Sequence, residues 1–560
     1  MNDNDTNTIR TRFAHVVLAV SMLVMGACGI IYEYTLGVLG NNLMGSSHEQ
    51  LFVIIGLMMF AMGAGAVLQQ RLVGNLIDKF LWVELLLGLL GGISTLVIYA
   101  TFVFTDSYQL VMYAFSLGIG VLIGCEIPLL IRINTEYTNT LRANLSSILS
   151  MDYVGSLIGA LLFAYVLLTR LSVERISLIL GCVNILLAIA GVAFFWPMVK
   201  RRQLFLVACG LAAATLGVGL SQSRTWMAEL QQRCFVDPIV YSKTTKYQHI
   251  VLTESIPEDR LRLYLDGHLQ FSSDDEAIYH EMLVHPPMSL ARSRQRILIL
   301  GGGDGLALRE VLKYSDVESV VLVDIDPAII ELAREHPKLV SINGNALQDA
   351  RVETRLPEGV GEGPESPVWR PTKRDPLVDN TEYKIADVTV ATVDADLFLR
   401  NVNEKFDVVI IDFPDPRSVE LGKLFSVDFY RQLTRRLSDG AVVSIQSTNI
   451  FRGELVFRCI GETLKTAEYN VLPYHEHVPS FGEWGWHLAW HGKDSAAMKA
   501  RIKELKQFAV PTTHLTPEVL GAAFIFGKDW QNLEEVILPN TKMQPVVMQY
   551  YRRSLGKRAP

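Results

Sequence analysis

Ile297-Leu298-Ile299-Leu300-Gly301-Gly302-Gly303-Asp304-Gly305 decides how the C-terminal half of this chain folds. Four apolar residues in succession make a strand with no wet face, which belongs in a parallel sheet covered on both sides. A glycine turn then falls at the strand's carboxyl end, where doubly wound sheets bind ligands. Glycine there admits positive φ and close approach of backbone to ligand. Two common uses of such a loop fail on the residues present. A dinucleotide fingerprint needs glycine three places after Gly303, where Leu306 stands, and an acid inside the turn is a poor neighbour for pyrophosphate. No Gly-Lys-Ser/Thr follows, so a P-loop fails too. What fits is a nucleoside without phosphates, carrying a cationic tail.

Forward of the turn the chain alternates helix and strand. Strands are expected at 319–323, 388–393, 406–411 and 441–445, with helices from Leu306 and Pro327, the pattern of a doubly wound sheet. The second strand ends in Val323-Asp324-Ile325-Asp326, about twenty positions past the glycines, where a carboxylate accepts ribose hydroxyls. Asp394 ends the third strand and could accept from an adenine amine. Each of these acids also reads as a helix N-cap, an explanation that weakens when three occur at successive strand ends. The fourth strand runs Asp407-Val-Val-Ile-Ile-Asp412 into Phe413-Pro414-Asp415-Pro416. Two carboxylates thus leave the sheet near Asp304. Acids without a His/Cys set describe a cation site rather than a zinc site, and no loop offers calcium its six or more oxygen ligands. Residues 353–380, rich in Pro, Gly and charge, read as a surface insertion.

Backward of the turn, 239–241, 247–254 and 260–265 carry hairpin signals, broken by Pro257 and Asp266-Gly267. A helix is expected over 275–283, carrying Tyr279 and His280 and stopped by Pro286-Pro287.

The first 220 residues differ in kind. Apolar runs at 16–36, 51–68, 81–104, 110–130, 148–168, 176–196 and 204–220 are mostly long enough to cross a hydrocarbon core of about 30 Å as helices. The first is too long for a cleavable signal peptide and carries Glu33. Basic residues alternate between early connections, with Arg10 and Arg12, then Arg71 and Lys79, then Arg132 and Arg142 on one side. Arg170 and Arg175 break the alternation. This puts the N-terminus in the cytoplasm, and seven spans would leave the C-terminal half outside. Either that half works on the far side, or one segment is re-entrant. Glu33, Glu84, Glu126 and Asp152 lie within the spans; such acids either mark an ion path or sit paired and silent.

Composition agrees. Of 560 residues 50% are hydrophobic and 19% charged, with mean hydropathy +0.25, too apolar for a soluble enzyme. A net charge of −7 supplies no basic face for nucleic acid. The six cysteines show no metal spacing. The expected architecture is an all-α polytopic membrane domain of about seven helices over 1–220. A small β-hairpin subdomain follows over 221–290, a Rossmann-like, methyltransferase-type α/β domain over 291–500, and a C-terminal extension over 501–560.

Tyr247-Gln248, Leu265-Asp266-Gly267-His-Leu-Gln270, Tyr279-His280-Glu281, the glycine turn through Gly305, Val323-Asp324-Ile325-Asp326, Asp394-Ala395 and Asp412-x-x-Asp415-Pro416, with Trp484-Gly485-Trp486 further on, together resemble the spermidine synthase (polyamine aminopropyltransferase) family. The seven apolar runs resemble its membrane-bound bacterial members. The resemblance implies transfer of an aminopropyl group from decarboxylated S-adenosylmethionine, a co-substrate, to putrescine, with no further cofactor. It implies that Gln248, Asp324, Asp394 and Ala395, with Gly301 and Gly303, hold the donor. His280, Asp304, Asp415 and Tyr279 would hold the amine, and Asp412 would be the catalytic base. It also implies a multi-pass protein of the cell membrane, with a homodimer or homotetramer as the expected assembly. Where the family has Glu, Ser and a Gly-Pro stretch, this chain has Asp324, Phe413 and Arg417-Ser-Val-Glu420, so the acceptor stays open between putrescine, a longer polyamine and another amine. Arg417 in particular brings a positive charge near a cation site. Two other classes compete. A methyltransferase on the same fold would not need the acid cluster. A membrane polyamine transporter or sensor would use the buried acids of the spans.

Overall fold

The computed structural model describes residues 3–44, 49–134, 141–348, 386–492, 495–531 and 535–556; the 353–380 insertion lies outside them. The chain divides after Val236 into two units, Met1–Val236 and Asp237–Pro560.

Among the described residues of the first unit, seven helices are long and apolar enough to cross a membrane. They contain Ala19–Leu43, Gln50–Arg71, Leu76–Phe104, Tyr108–Ile133, Ile148–Arg170, Val173–Phe194 and Arg202–Gln232. The last runs past the expected break at 220, because residues 221–232 hold neither Gly nor Pro and are ordinary helix formers. Helices approach closely at glycines. A side chain at Gly124 would strike the Met62 backbone, and one at Gly155 the Leu23 backbone, the contact that small residues permit between apolar helices. Glu84 and Glu126 lie inside, 1% and 2% exposed.

The second unit opens with four antiparallel strands in sequence order, β1 (Ile239–Thr244), β2 (His249–Ser255), β3 (Arg260–Leu265) and β4 (His268–Ser272). Asp266 and Gly267 join β3 to β4 with φ of 51° and 76°, the pair of positive angles that a tight two-residue hairpin needs. The remaining strands are β5 (Arg296–Gly301), β6 (Ser319–Asp324), β7 (Asp387–Thr392), β8 (Phe406–Asp412), β9 (Leu437–Asn449), β10 (Asn470–Val478) and β11 (Gly482–Trp490). They form one sheet in the order β10-β11-β9-β8-β5-β6-β7. The five strands from β7 across to β9 are parallel, while β11 runs antiparallel to both its neighbours. The sheet is therefore mixed rather than wholly parallel, because the short link from β10 to β11 can join only antiparallel strands. Ile297, Ile299, Val408 and Ile410 enter the core on one face; Leu298, Leu300, Val409 and Ile411 enter that on the other. The 501–560 segment packs into both, with Leu515 and Leu520 on the first and Val547 and Tyr550 on the second.

The helix after β4 spans Glu276–Leu290 and passes straight through Pro286 and Pro287, where a stop was expected. Pro286 cannot donate to the carbonyl of Met282, and that carbonyl instead accepts from Tyr474 Oη at 2.9 Å. A side chain from β10 thus repairs the proline's missing bond. Tyr474→Phe should orphan this buried carbonyl and cost about 1–3 kcal/mol. The expected observation is a melting temperature several degrees lower for the full-length protein in detergent.

Candidate active site

The sheet order reverses at β5. From it the chain steps to β6 and β7 on one side, then crosses to β8 and β9 on the other, making the crevice where open α/β sheets bind ligands. Gly301 at the end of β5 lies in register with Asp412 at the end of β8. Its φ is +83°, and a side chain there would run into the Asp412 backbone. Gly302 and Gly305, at φ of 66° and 83°, complete a turn that carries Asp304.

Asp304, Asp412 and Asp415 converge on one buried group. Tyr279, on the Glu276–Leu290 helix, donates from its hydroxyl to Asp412 Oδ1 at 2.6 Å and lies within reach of the charges on Asp415 and Asp304. Asp415 Oδ2 accepts from Thr448 Oγ1 at 3.0 Å, while its Oδ1 is buried with no protein partner. Asp304 Oδ1 accepts from the Leu306 N–H at 2.9 Å. His280 sits beside Asp304 and Asp412. Burial pushes Asp412 up to about 6; the His280 charge opposes this, Asp304 adds to it, and the Tyr279 hydroxyl opposes it. Burial likewise pushes Asp415 up to about 6, against hydrogen bonds from Thr448 and Gln446. Asp304 is raised by burial, with His280 and the Leu306 N–H pulling the other way. Desolvated carboxylates so grouped stabilise a cation placed among them.

The neighbouring strand ends are more self-satisfied. Asp324 accepts from the Gly303 N–H at 3.0 Å and the Asp326 N–H at 2.9 Å, and burial still pushes it up to about 6. Gly303 is required there, since a side chain would land 2.7 Å from Asp324 Oδ2. Gln248 donates to Asp326 Oδ2 at 3.1 Å, which ties the β1–β2 link to the end of β6. Asp394 caps the Ala395–Asn401 helix, accepting from Asp396 and Leu397, and its other oxygen pairs with Lys423 Nζ at 2.6 Å. Asp394 thus has the helix-cap geometry that stood beside the ligand role in the sequence, and Ala395 is the first residue of that helix.

Several residues escaped the sequence. Glu276 and Arg309 brace His280 from behind. Thr448, at φ +71°, holds Asp415, and Phe481 joins Trp484 and Trp486 around the Tyr279 ring. Only Glu276 carries a spacing signal, four residues before His280 on one helix; Arg309, Thr448 and Phe481 each come from a different element. Phe413 turns into the core against Phe425 and Phe429. Burial holds Arg417 below the usual arginine range, against the pull of nearby Tyr551 and Asp266. Among the described residues the one grouping with metal-like spacing is Glu281, His285 and Glu310. Its oxygens are occupied by the N–H groups of Thr513, His514 and Leu515 and by Arg309 and Lys313.

Comparison with known proteins bears on this geometry. The spermine/spermidine synthase domain model matches residues 276–361 and 377–501. A polyamine aminopropyltransferase of Leptospira interrogans is 37% identical over 84% of this chain and 87% of its own length. Polyamine aminopropyltransferase 1 of Streptomyces coelicolor is 36% identical over 96% of this chain and 94% of its own. A crystal structure of spermidine synthase in complex with the transition state analogue AdoDATO aligns at a TM-score of 0.41 and 25% identity, covering 52% of this chain and 85% of that one. Relatives this similar over nearly their whole length, apolar helices included, establish that the chain belongs to the polyamine aminopropyltransferase family and is a transferase.

Proposed function

We propose that this enzyme transfers the aminopropyl group of decarboxylated S-adenosylmethionine to putrescine, giving spermidine and methylthioadenosine. The observation that carries the reading is the convergence of Asp304, Asp412 and Asp415, with Tyr279 donating to Asp412. A diamine is a dication whose ammonium groups have pKa values near 10, and an amine attacks only after losing a proton. Asp412 takes that proton as the nitrogen closes on the carbon beside the sulfonium. The C–N bond forms, the C–S bond breaks, and a neutral thioether leaves. His280, Asp304, Asp415 and Tyr279 hold the amine chain in line. Gln248, Asp324, Asp394 and Ala395 hold the nucleoside, with Gly301 and Gly303 giving backbone access. Ordinary S-adenosylmethionine carries a carboxylate that Asp304 and Asp412 repel. The donor is a co-substrate, and the chemistry draws on no other cofactor.

We read the first unit as a multi-pass anchor in the cell membrane. Seven helices of 22 residues or more match a hydrocarbon core of about 30 Å. The second unit is read as a hairpin subdomain up to 290, a Rossmann-like domain over 291–500 and a tail over 501–560. Assembly as a homodimer or homotetramer belongs to the same proposal.

The test is turnover by detergent-solubilised, full-length protein. Methylthioadenosine should appear when decarboxylated donor and putrescine are both present, and not with S-adenosylmethionine. Amine binding without release, or methyl transfer from S-adenosylmethionine, would overturn the assignment. A finer expectation concerns Tyr279→Phe. The lost hydroxyl is one of the groups holding Asp412 down, so the acid limb of the pH–rate profile should move to higher pH. Loss of a hydrogen bond to a charged group should lower kcat/KM by about tenfold.

A further inference from the structure

Glu276 has no role in the mechanism above, yet its carboxylate is tightly constrained. It is buried on the helix that carries His280, one turn earlier. Arg309 grips both its oxygens, Nη1 to Oε1 at 2.8 Å and Nη2 to Oε2 at 2.9 Å. Nδ1 of His280 in turn faces two acceptors, Glu276 O at 2.7 Å and Glu276 Oε2 at 3.0 Å. A ring nitrogen between two acceptors carries a hydrogen in either protonation state. The proton that comes and goes is therefore the one on Nε2.

We infer that Glu276, clamped by Arg309, is a positioning residue that makes Nε2 of His280 the point where the acceptor site exchanges a proton for an incoming ammonium. The inference rests on the aminopropyl-transfer reading and specifies its acceptor site. The charged and titratable groups facing the ring are Glu276 and Tyr279 from its own helix, Asp304 after β5 and Asp412 after β8, with Arg309 behind Glu276. Burial works against a charged ring, but Glu276, Asp304 and Asp412 outweigh it and bring His280 to about 9. At neutral pH the empty site therefore holds an imidazolium among carboxylates. When the diamine enters as an ammonium, the Nε2–H bond breaks and its proton passes to bulk water. The nitrogen's lone pair can then accept an N–H of the ammonium. One cationic charge replaces another, and one proton is released.

The experiment is calorimetric titration of full-length enzyme in detergent with putrescine at pH 7.5, in two buffers of different ionisation enthalpy. Wild type should release about one proton per amine bound, and His280→Gln should release none. Glu276→Gln should release less than half of the wild-type value. In parallel, KM for putrescine should fall as pH rises from 7 towards 9 in wild type, and this slope should flatten in Glu276→Gln with kcat changing less than KM. A purely structural Glu276 would alter melting but neither the proton count nor that slope. If Glu276→Gln does not accumulate, Glu276→Asp withdraws the carboxylate from Nδ1 and should also release fewer protons than wild type. A wild type that turns over yet releases no proton, or a Glu276 variant matching it, overturns the inference. A wild type that makes no methylthioadenosine refutes instead the functional reading beneath.

Discussion

Asp412→Asn is expected to lower kcat by roughly 10³-fold, within the range for loss of a positioned general base, while the affinity for methylthioadenosine should change by less than about twofold, since the proposal sets Asp412 at the amine. The substitution is nearly isosteric, and the amide oxygen can still accept from Tyr279, but it cannot take the proton that an ammonium must lose. Wild-type kcat should fall as pH drops through about 6, the range in which Asp412 becomes protonated. Stability should move the other way. Asp412 is an acid whose folded-state pKa lies above its unfolded value, so folding binds a proton more tightly than the unfolded chain does. Its contribution is therefore most favourable below the unfolded value and is lost as pH rises through about 6. At pH 7.5 the folded protein bears an ionised, desolvated carboxylate that Asn lacks, and the variant should melt at or above the wild-type temperature. Lost turnover with retained or raised melting separates chemistry from folding. A variant that melts early would leave the assignment of Asp412 as base unsupported.

Much of this was legible because it lies in local runs. An apolar tetrad ending in glycines declares a buried strand and a backbone-lined crevice, and β6, β7 and β8 each bring an acid (Asp324, Asp394 and Asp412) to the same edge. Asp304, Asp412 and Asp415 meet for that topological reason alone. Less local features were hidden. The helix through Pro286 and Pro287 violates a sound rule, and the bond that Pro286 cannot make is supplied by the hydroxyl of Tyr474, some 190 residues further on by the numbering. The β10–β11 hairpin lacks strict alternation because both its faces are covered in part. Asp394 carried two meanings, ligand acceptor and helix cap, and the cap geometry is visible only once the helix and Lys423 are in place. Glu276 and His280 lie one helical turn apart, but Arg309 reaches them from another helix, a link with no sequence period.

Gly301→Ala is expected to cost several kcal/mol and more than about 10²-fold in turnover, and the comparison with Gly267→Ala shows why. Both glycines have positive φ, +83° at Gly301 and +76° at Gly267. An alanine at either pays about 1–2 kcal/mol for the left-handed conformation. At Gly267 a methyl group meets nothing within 4 Å, so the penalty should stop there. At Gly301 the same methyl runs into the carbonyl and backbone of Asp412, with the Phe413 ring 3.3 Å away. A flexible side chain could swing aside, but β8 cannot. It is hydrogen-bonded to β5 on one side and β9 on the other, and its residues 408–411 are fully buried, alternating between the two cores. Relief requires either parting β5 from β8 or twisting the end of β8, and each displaces the Asp412 carboxylate from Tyr279. A shift of about 1 Å in a catalytic group is enough for a hundredfold loss. Paired melting curves and methylthioadenosine release should therefore show Gly267→Ala modestly destabilised and active, and Gly301→Ala strongly destabilised and nearly inactive. If the two variants behaved alike, the close apposition of the glycine turn and the Asp412 backbone would not be what sets the geometry of this site.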